Sequence, residues 1–590
     1  MHDAPRLPRL PRPASALRQV FRDGYSFAMF RADVLAGLVV GIVALPLSMA
    51  LAIATGMPPQ NGIYTAIVAG GAIAFVGGSR VQVSGPTAAF VAVLLPITAQ
   101  HGPGGLMLAT LMAGILLTMM GLARLGRLIQ FVPYPVVTGF TAGIGLVIAT
   151  GQVKDMLGLE GVVQHPHFHE TIDDLARHLD TWNLPDLVVG LATLALLVWI
   201  PKVVKRVPAP LLAIGGVAVA AAWVRTTWPS LHIVTIADRF SYVVDGRSVP
   251  GIPPWLPAFA WPWDVAGIDG KPVGLHWALL RDLIPSALTI AFLGAIESLL
   301  SAVASDAMSG HKHDPDAELL AQGTGNVLAP FFGGFAATGA IARTATNVRA
   351  GAVSPIAALT HAAFLLVAVL VLPPLLGELP LASMAALLLL VAWRMSDVRH
   401  VRHIVKSAPT SDTIVLLTCF GLTVAFDMVV GVTAGILLAS LLFMRRIAEM
   451  TGARLVRHGR TGTPLDTPPG VMVYEIDGPL FFGAAEKAMA ALQSIHKEAK
   501  ALVLNLEGVP VIDATGIVNL RSVLDRLASS AIPVVLTHVH AKVAPSLRKA
   551  GILDDGRSMF VRSDLEAGIE LATSLAGPTG KSETHDLARS

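Results

Sequence analysis

The chain has 590 residues, a formal net charge of +3, and 53% hydrophobic against 14% charged residues, where a soluble globular chain carries about 25% charged. Of its 83 charged residues, 31 fall in the 144 residues from 447 to 590, leaving 52 for the 446 before them; this predicts a membrane-embedded body followed by a soluble C-terminal domain. A single cysteine, Cys419, excludes a disulfide framework and Cys-based zinc or iron–sulfur sites. The near balance of charge, without a basic face interleaved with aromatics, excludes a nucleic-acid binder.

Residues 1–30 read as a cytoplasmic arm whose RLPRLPRP stretch (6–13) is disordered near anionic headgroups. No apolar region follows its first arginines, so it is not a signal peptide. A spanning helix needs about 20 apolar residues. Spans are predicted near 33–54, 62–78, 105–123, 133–151, 186–202 and 209–226, then near 281–306, 318–333, 352–374, 380–395, 411–426 and 429–446. Two shorter apolar pieces, 86–98 and 339–350, each follow a Gly-rich stretch and count as half-spans. The total is 14 transmembrane segments, seven on each side of a polar stretch at 227–280, an α-helical polytopic membrane protein. Arg31, Arg80, Arg124, Arg127, Lys202, Lys205, Arg206, Lys312, Arg349, Arg394, Arg399, Arg445 and Arg446 fall on alternate connections, whereas 55–61, 99–104 and 373–380 hold no Lys or Arg. Cytoplasmic loops carry that excess, so both termini are expected in the cytoplasm and the 227–280 loop outside, its tryptophans anchoring at the interface.

The half-spans carry the chemistry. GGSRVQVSGPTAAF (77–90) predicts a helix starting at Pro86 or Thr87. FFGGFAATGAIARTATNVRAG (331–351) predicts a second one starting just after Thr338 and Gly339. Each start exposes unpaired N–H groups and partial positive charge. Unwound backbone at membrane depth is tolerated where it lines a cavity or is buried, and two such starts facing each other make an anion site. Their matching places in the two halves suggest an inverted repeat. Glu297 lies mid-span, where an acid is costly and marks function, and a carboxyl so placed is suited to proton uptake near neutral pH. Ser301 and Ser305 follow on its face. Arg343, one turn into the second half-helix, either offsets an anion's charge or pairs with Glu297. Thr87, Thr338 and Ser48 are weaker hydroxyl candidates. His311, His313, Asp314 and Asp316 read as a solvated turn rather than a metal site, His361 and Cys419 as packing, and Asp427 as facing water.

A Gly/Pro/Thr-rich stretch at 461–470 lies within a linker assigned to 447–470. Beyond it, strand-like VMVYEI, ALVLNLE and IPVVLT alternate with helix-like 484–499, a helix from about 515 and one near 541–550. This predicts a small α/β domain over 471–575, then a disordered tail, 576–590. Asp513 and Thr515 cap a helix there.

GIVALPLSMALAIATGMPPQNGIY (41–64), VSGPTAA (83–89), LGAIESLL (293–300) and GAIARTATNVRAGA (339–352) resemble the sulfate permease (SulP) family of anion transporters from about residue 30 to 570. GGSRVQVSGPTAAF and LASLLFMRRIA look most like its bacterial C4-dicarboxylate branch, and VIDATGI (511–517) resembles the signature of the sulfate-transporter and anti-sigma-factor-antagonist (STAS) domain. The resemblance implies two intertwined seven-segment inverted repeats forming core and gate domains over 31–446, elevator-like alternating access and a homodimer. It implies substrate contacts at Thr87, Ala88, Ala340, Ile341 and Ala342, with Glu297 and Arg343 at the family's acidic and basic positions. It also implies a regulatory Thr515, where soluble antagonists carry a phosphorylated Ser, and a cytoplasmic protein partner for that domain. Leu47 stands where many animal members have Gln in an LPQ motif, so their halide selectivity does not transfer.

These readings converge on proton-coupled transport of a small anion such as succinate, fumarate or aspartate across the bacterial inner membrane. Ser48 and Arg343 assist binding, and Glu297 with Ser301 couples a proton. No cofactor or metal is implied, and no nucleophile–base pair suggests an enzyme. Sulfate or bicarbonate as substrate, sodium as coupling ion, a passive channel and an anion sensor stay open. A nucleobase permease is disfavoured by Arg343.

Overall fold

The computed structural model describes residues 13–127, 133–163, 165, 167–204, 207–426, 428–456, 467–481, 485–489, 499–553 and 559–577. It forms two compact units, Met1–Leu437 and Leu438–Ser590. The first is helical: α1 (Phe27–Ala54), α2 (Pro59–Val76), strand β1 (Ser84–Gly85), α3 (Ala88–Leu122), α4 (Tyr134–Gly151), α5 (Leu184–Val203) and α6 (Ala209–Thr227). After the polar stretch come α7 (Trp277–Ser309), α8 (Pro315–Leu328), strand β2 (Thr338–Gly339), α9 (Ile341–Arg349), α10 (Ile356–Val371), α11 (Leu381–Ser396), α12 (Thr410–Ala425) and α13 (Met428–Met450). Among the described residues, eight helices are long and apolar enough to cross a membrane. Segments three and four run together as α3 across a break at Gly102, whose φ is +70°. A side chain there would run into the backbone of Gly267 and Ile268, so this turn takes glycine for two reasons.

The helices sort into two packed groups. In one, α1, α2, α3, α7, α8 and α10 pack on one another, with α9 against α7. In the other, α11 and α12 pack on α4, and α11 on α5, which carries α6. The close packing follows from small residues. Gly114 of α3 lies against the backbone of Asn326 and Val327 in α8, and Gly37 of α1 against Thr360 and His361 of α10. Helix association inside a bilayer depends on such backbone approach, because lipid tails are as apolar as leucine.

Three stretches carry structure that the sequence left undescribed. The arm at 1–30 contains a helix, Ser15–Arg22, because Ala16 and Val20, one turn apart, are both buried; residues 1–12 lie outside the described residues. In the 227–280 loop, Trp261 stacks on Trp263 at 4.8 Å and meets Phe331 edge-on, while Trp255 packs edge-on to Tyr242. These rings hold the loop to itself and to the end of α8. In the 447–470 linker α13 runs on to Met450 and a strand, β3 (Gly452–Leu455), follows, because those residues close one edge of the second unit's sheet.

The second unit orders β3, β4 (Val471–Asp477), β5 (Ala501–Gly508), β6 (Val534–Thr537) and β7 (Met559–Arg562) sequentially in one sheet. The β3–β4 pair is antiparallel and the rest parallel. Helix α14 (Ala514–Ser529) buries Leu520, Val523, Leu524 and Leu527 in one core with Leu502, Leu504 and Leu506. Helix α15 (Ala544–Lys549) adds Leu547 to that core, and α16 (Leu565–Leu575) covers Val471, Val503 and Val535 with Ile569 and Ala572. Alternate residues of β5 thus feed two cores, as a sheet covered on both faces requires. Asp513 caps α14 by accepting from Gly516 N at 2.7 Å, and Thr515 is exposed on its first turn. Most of the 484–499 helix and the 578–590 part of the tail lie outside the described residues, as do Lys205, Arg206 and Asp427.

Candidate anion site at two paired helix starts

Strands β1 and β2 cross antiparallel, Ser84 opposite Gly339 and Gly85 opposite Thr338. Each then runs straight into a helix: Thr87 is the extended N-cap of α3 and Ala340 that of α9. The α3 helix starts at Ala88 rather than at Pro86 or Thr87, because pairing with β2 holds the preceding residues extended. Neither N-cap side chain satisfies its own helix. The first N–H groups of both helices therefore point onward without intrahelical partners, next to each other.

Buried polar side chains of α7 and α8 hold this crossing. Ser298 meets the Thr338 hydroxyl at 2.6 Å and accepts from Gly339 N at 3.1 Å, and Thr338 donates to Gly294 O. Asn326 donates to Ala337 O and accepts from Ala337 N, both at 2.8 Å. Gln322 links Glu318 to Ser84, and Glu318 accepts from Gly78 N. From α9, Thr344 accepts from Val83 N and Asn347 donates to Val81 O. Sequence reasoning missed Ser298, Gln322, Asn326, Thr344 and Asn347. Their signal was polar residues on consecutive turns of otherwise apolar spans, which a search for charge passes over. Asn326→Ala is expected to lower stability by about 2–4 kcal/mol, since it strands both backbone groups of Ala337 in a buried place; a lowered thermal midpoint of the purified protein checks it.

Glu297 comes to the site from α7 and accepts from the Thr87 hydroxyl at 3.0 Å. The two candidates, distant in chain order, are thus joined. Ser301 and Ser305 lie on the same face, but each is bound elsewhere: Ser301 faces the Thr344 hydroxyl and Ser305 the Ser79 hydroxyl, both at 3.3 Å. Ser301 braces α9 in this arrangement, and among the described residues no hydrogen bond joins it to Glu297. Ala88 is buried, whereas Ile341 and Ala342 are exposed and present the start of α9 to open space. The Ala340 N–H is already committed to Val83 O at 2.9 Å, which leaves residues 341–343 as the open donors of that helix.

Arg343 does not pair with Glu297. Its side chain is 3% exposed and donates to Pro86 O across the crossing, close against Gly85. Among the described residues it forms no ion pair with Glu297, and its guanidinium lies against the Gly85–Pro86 backbone. Its Nε and Nη1 have no hydrogen-bond partner. Ser48 is fully buried on α1 with an unpartnered hydroxyl, and the Gly62 backbone packs on its carbonyl; it does not join the Thr87–Glu297 pair. His361 and Cys419 are buried, and Cys419 faces Val136 O at 3.5 Å. In the 311–316 turn, His313 pairs with Asp306 at 2.8 Å and Asp314 caps α8. Among the described residues, no His, Cys, Asp or Glu cluster could hold a metal.

Comparison with known proteins agrees with this geometry. Residues 30–419 match the sulfate permease family and residues 463–565 the STAS domain. A Bacillus subtilis protein named "Putative sulfate transporter YvdB" is 38% identical over 90% of this chain and 95% of its own. "Bicarbonate transporter BicA" of Picosynechococcus is 26% identical over 85% and 87%. The structure of the murine Solute Carrier 26 family member A9 anion transporter in the inward-facing state superposes with a TM-score of 0.81 at 18% identity, covering 95% of this chain and 94% of that one. These relatives are transporters, not enzymes. The chain is a multi-pass anion transporter: it belongs to the sulfate permease family and carries a C-terminal STAS domain.

Proposed function

We propose that the chain is a proton-coupled secondary transporter that binds a small anion at the paired starts of α3 and α9 and couples it through Glu297. The observation that carries this reading is the Thr87–Glu297 hydrogen bond at the mouth of α3, which puts the only acid of α7's apolar core within reach of the anion-facing N–H groups. Ala88, Ile341 and Ala342 supply backbone donors, and Arg343 adds positive charge. Glu297 in its neutral form accompanies the anion, and its deprotonation toward the cytoplasm releases both. The α4–α6, α11 and α12 group serves as the gate against which the other group moves, elevator fashion, in a homodimer of the bacterial inner membrane with both termini cytoplasmic. Thr515 and Asp513 lie where a phosphate or a cytoplasmic partner would act on the STAS domain.

Backbone N–H groups select charge more than shape, so substrate identity rests on other support. The wording of 77–90 favours C4-dicarboxylates, while relatives named for sulfate and bicarbonate favour those ions. Uptake of labelled succinate into proteoliposomes, with and without an inward proton or sodium gradient and with sulfate and bicarbonate as competitors, decides it. Accumulation of succinate driven by protons is expected. Accumulation of sulfate or bicarbonate alone would reassign the substrate, and uptake that never exceeds equilibrium would replace the transporter by a passive channel.

A further inference from the structure

The group of α4, α5, α11 and α12 carries a groove of a different kind from the anion site. Its volume is about 730 Å³, within the ~300–1,000 Å³ usual for ligand clefts. Leu146 and Ala149 of α4, Val198 of α5, Leu389 and Trp393 of α11 and Phe420 of α12 line it. The Ser396 hydroxyl in its wall is spent on Ala392 O at 2.9 Å. Such a wall suits hydrocarbon rather than a free anion. One end is lined by Val398 and Val401 of the short helix Val398–Ser407. Tyr134, at the start of α4, fixes that helix through His400 Nε2 at 2.8 Å.

This end of the groove is basic. Arg394, Arg399, Arg402 and Lys406 are all exposed, as is Lys202, one turn beyond Val198 on α5. From 381 to 425 the acids are Asp397 and Asp412, and α4 has none. Among the described residues, none of the five cations forms an ion pair. Trp393, beside Arg394, is exposed, and indole rings prefer the bilayer interface. An apolar groove between spanning helices that ends in unpaired cations matches an acyl chain joined to an anionic headgroup. A second copy fits it less well. A two-fold axis along the membrane normal would set its basic helix against this one, like charge on like.

We propose that this groove binds an anionic phospholipid, its acyl chain along Leu389 and Trp393 and its headgroup on Arg394, Arg399 and Arg402. The site is separate from the helix starts at Thr87 and does not depend on which anion is carried.

The test is tryptophan quenching in the full chain, reconstituted in vesicles of phosphatidylcholine and phosphatidylglycerol in which one lipid or the other carries brominated acyl chains. The part of the signal lost in Trp393→Phe isolates the groove. Wild type should bind phosphatidylglycerol there about tenfold more tightly than phosphatidylcholine, since each Lys or Arg near an anionic surface is worth about fivefold. Arg399→Gln/Arg402→Gln should bring the preference to within about twofold. About 1 M salt should do the same to wild type, which keeps the test decisive if the double variant reconstitutes poorly. Ala149→Phe fills the groove and leaves every cation in place; it should cut the preference about fivefold, near the worth of one buried methylene. Equal binding of the two lipids by wild type would overturn the proposal, as would a preference unmoved by Ala149→Phe or by loss of the two arginines. A Trp393 that neither lipid quenches would also overturn it and assign the face to a second copy.

Discussion

Replacement of Glu297 by Gln is expected to abolish concentrative uptake and flatten its pH dependence while leaving anion binding in place. Gln keeps the volume of Glu and can still accept from the Thr87 hydroxyl, so the local packing at 3.0 Å survives. What disappears is the group that changes charge. In wild type, lowering the outside pH should speed uptake, because the loaded form carries the proton. The variant should lose that response and fall about tenfold or more in gradient-driven rate, a coupling of about 1.4 kcal/mol or more. Glu297→Asp should be intermediate, since the shorter side chain withdraws the carboxyl from Thr87. Uptake across a pH series in proteoliposomes measures both. A variant that transports at the wild-type rate with the wild-type pH profile would sink the assignment. Attention would then pass to Glu318, the buried carboxylate beside Gln322 and Gly78.

The second large effect is expected from Gly339→Val. Gly339 sits where β1, β2 and α7 meet, and a Cβ there would run into the side-chain amide of Gln82 and come within 3.1 Å of Ser298 Cα. The Gln82 amide is itself buried, and neither of its polar atoms has a partner. The branched side chain would force the two extended segments apart, costing about 1–3 kcal/mol in overpacking. It would also misalign the two helix starts that must present N–H groups to one anion. Loss of anion binding at a thermal midpoint only a few degrees lower is the expected pattern. Wild-type affinity would show that the crossing is not the binding frame. Gly85 is a milder companion case: its φ is +155° and a Cβ would lie 2.7 Å from Arg343 Nη1, so Gly85→Ala should disturb the arginine first.

Much of this was legible before any fold was known. Fourteen segments follow from runs of apolar residues, and the half-helices from Gly and Pro that interrupt them, because both signals belong to consecutive residues. Glu297 was legible because a carboxyl inside an apolar span is too costly to keep without a use. The strand-and-helix alternation of the second unit could be read for the same local reasons. Its first strand could not, because β3 is four residues long and stands out only by its pairing with β4.

The supporting shell was not legible. Ser298, Asn326 and Thr344 are small polar residues of a kind that usually bonds its own helix, as Thr289 does to Pro285 O. Arg343 invited pairing with Glu297 on charge alone, yet its Nη2 donates to a carbonyl 257 residues away. By itself the amino-acid order determined that this chain enters a membrane and where it interrupts its helices. Those outcomes depend on hydrophobicity and backbone freedom summed over neighbouring positions. Tertiary structure alone decided that the two interruptions pair as strands, that Thr87 meets Glu297, and that Arg343 turns to the Pro86 carbonyl. Each of these is a contact between distant residues, chosen by the need to satisfy buried polar groups in three dimensions.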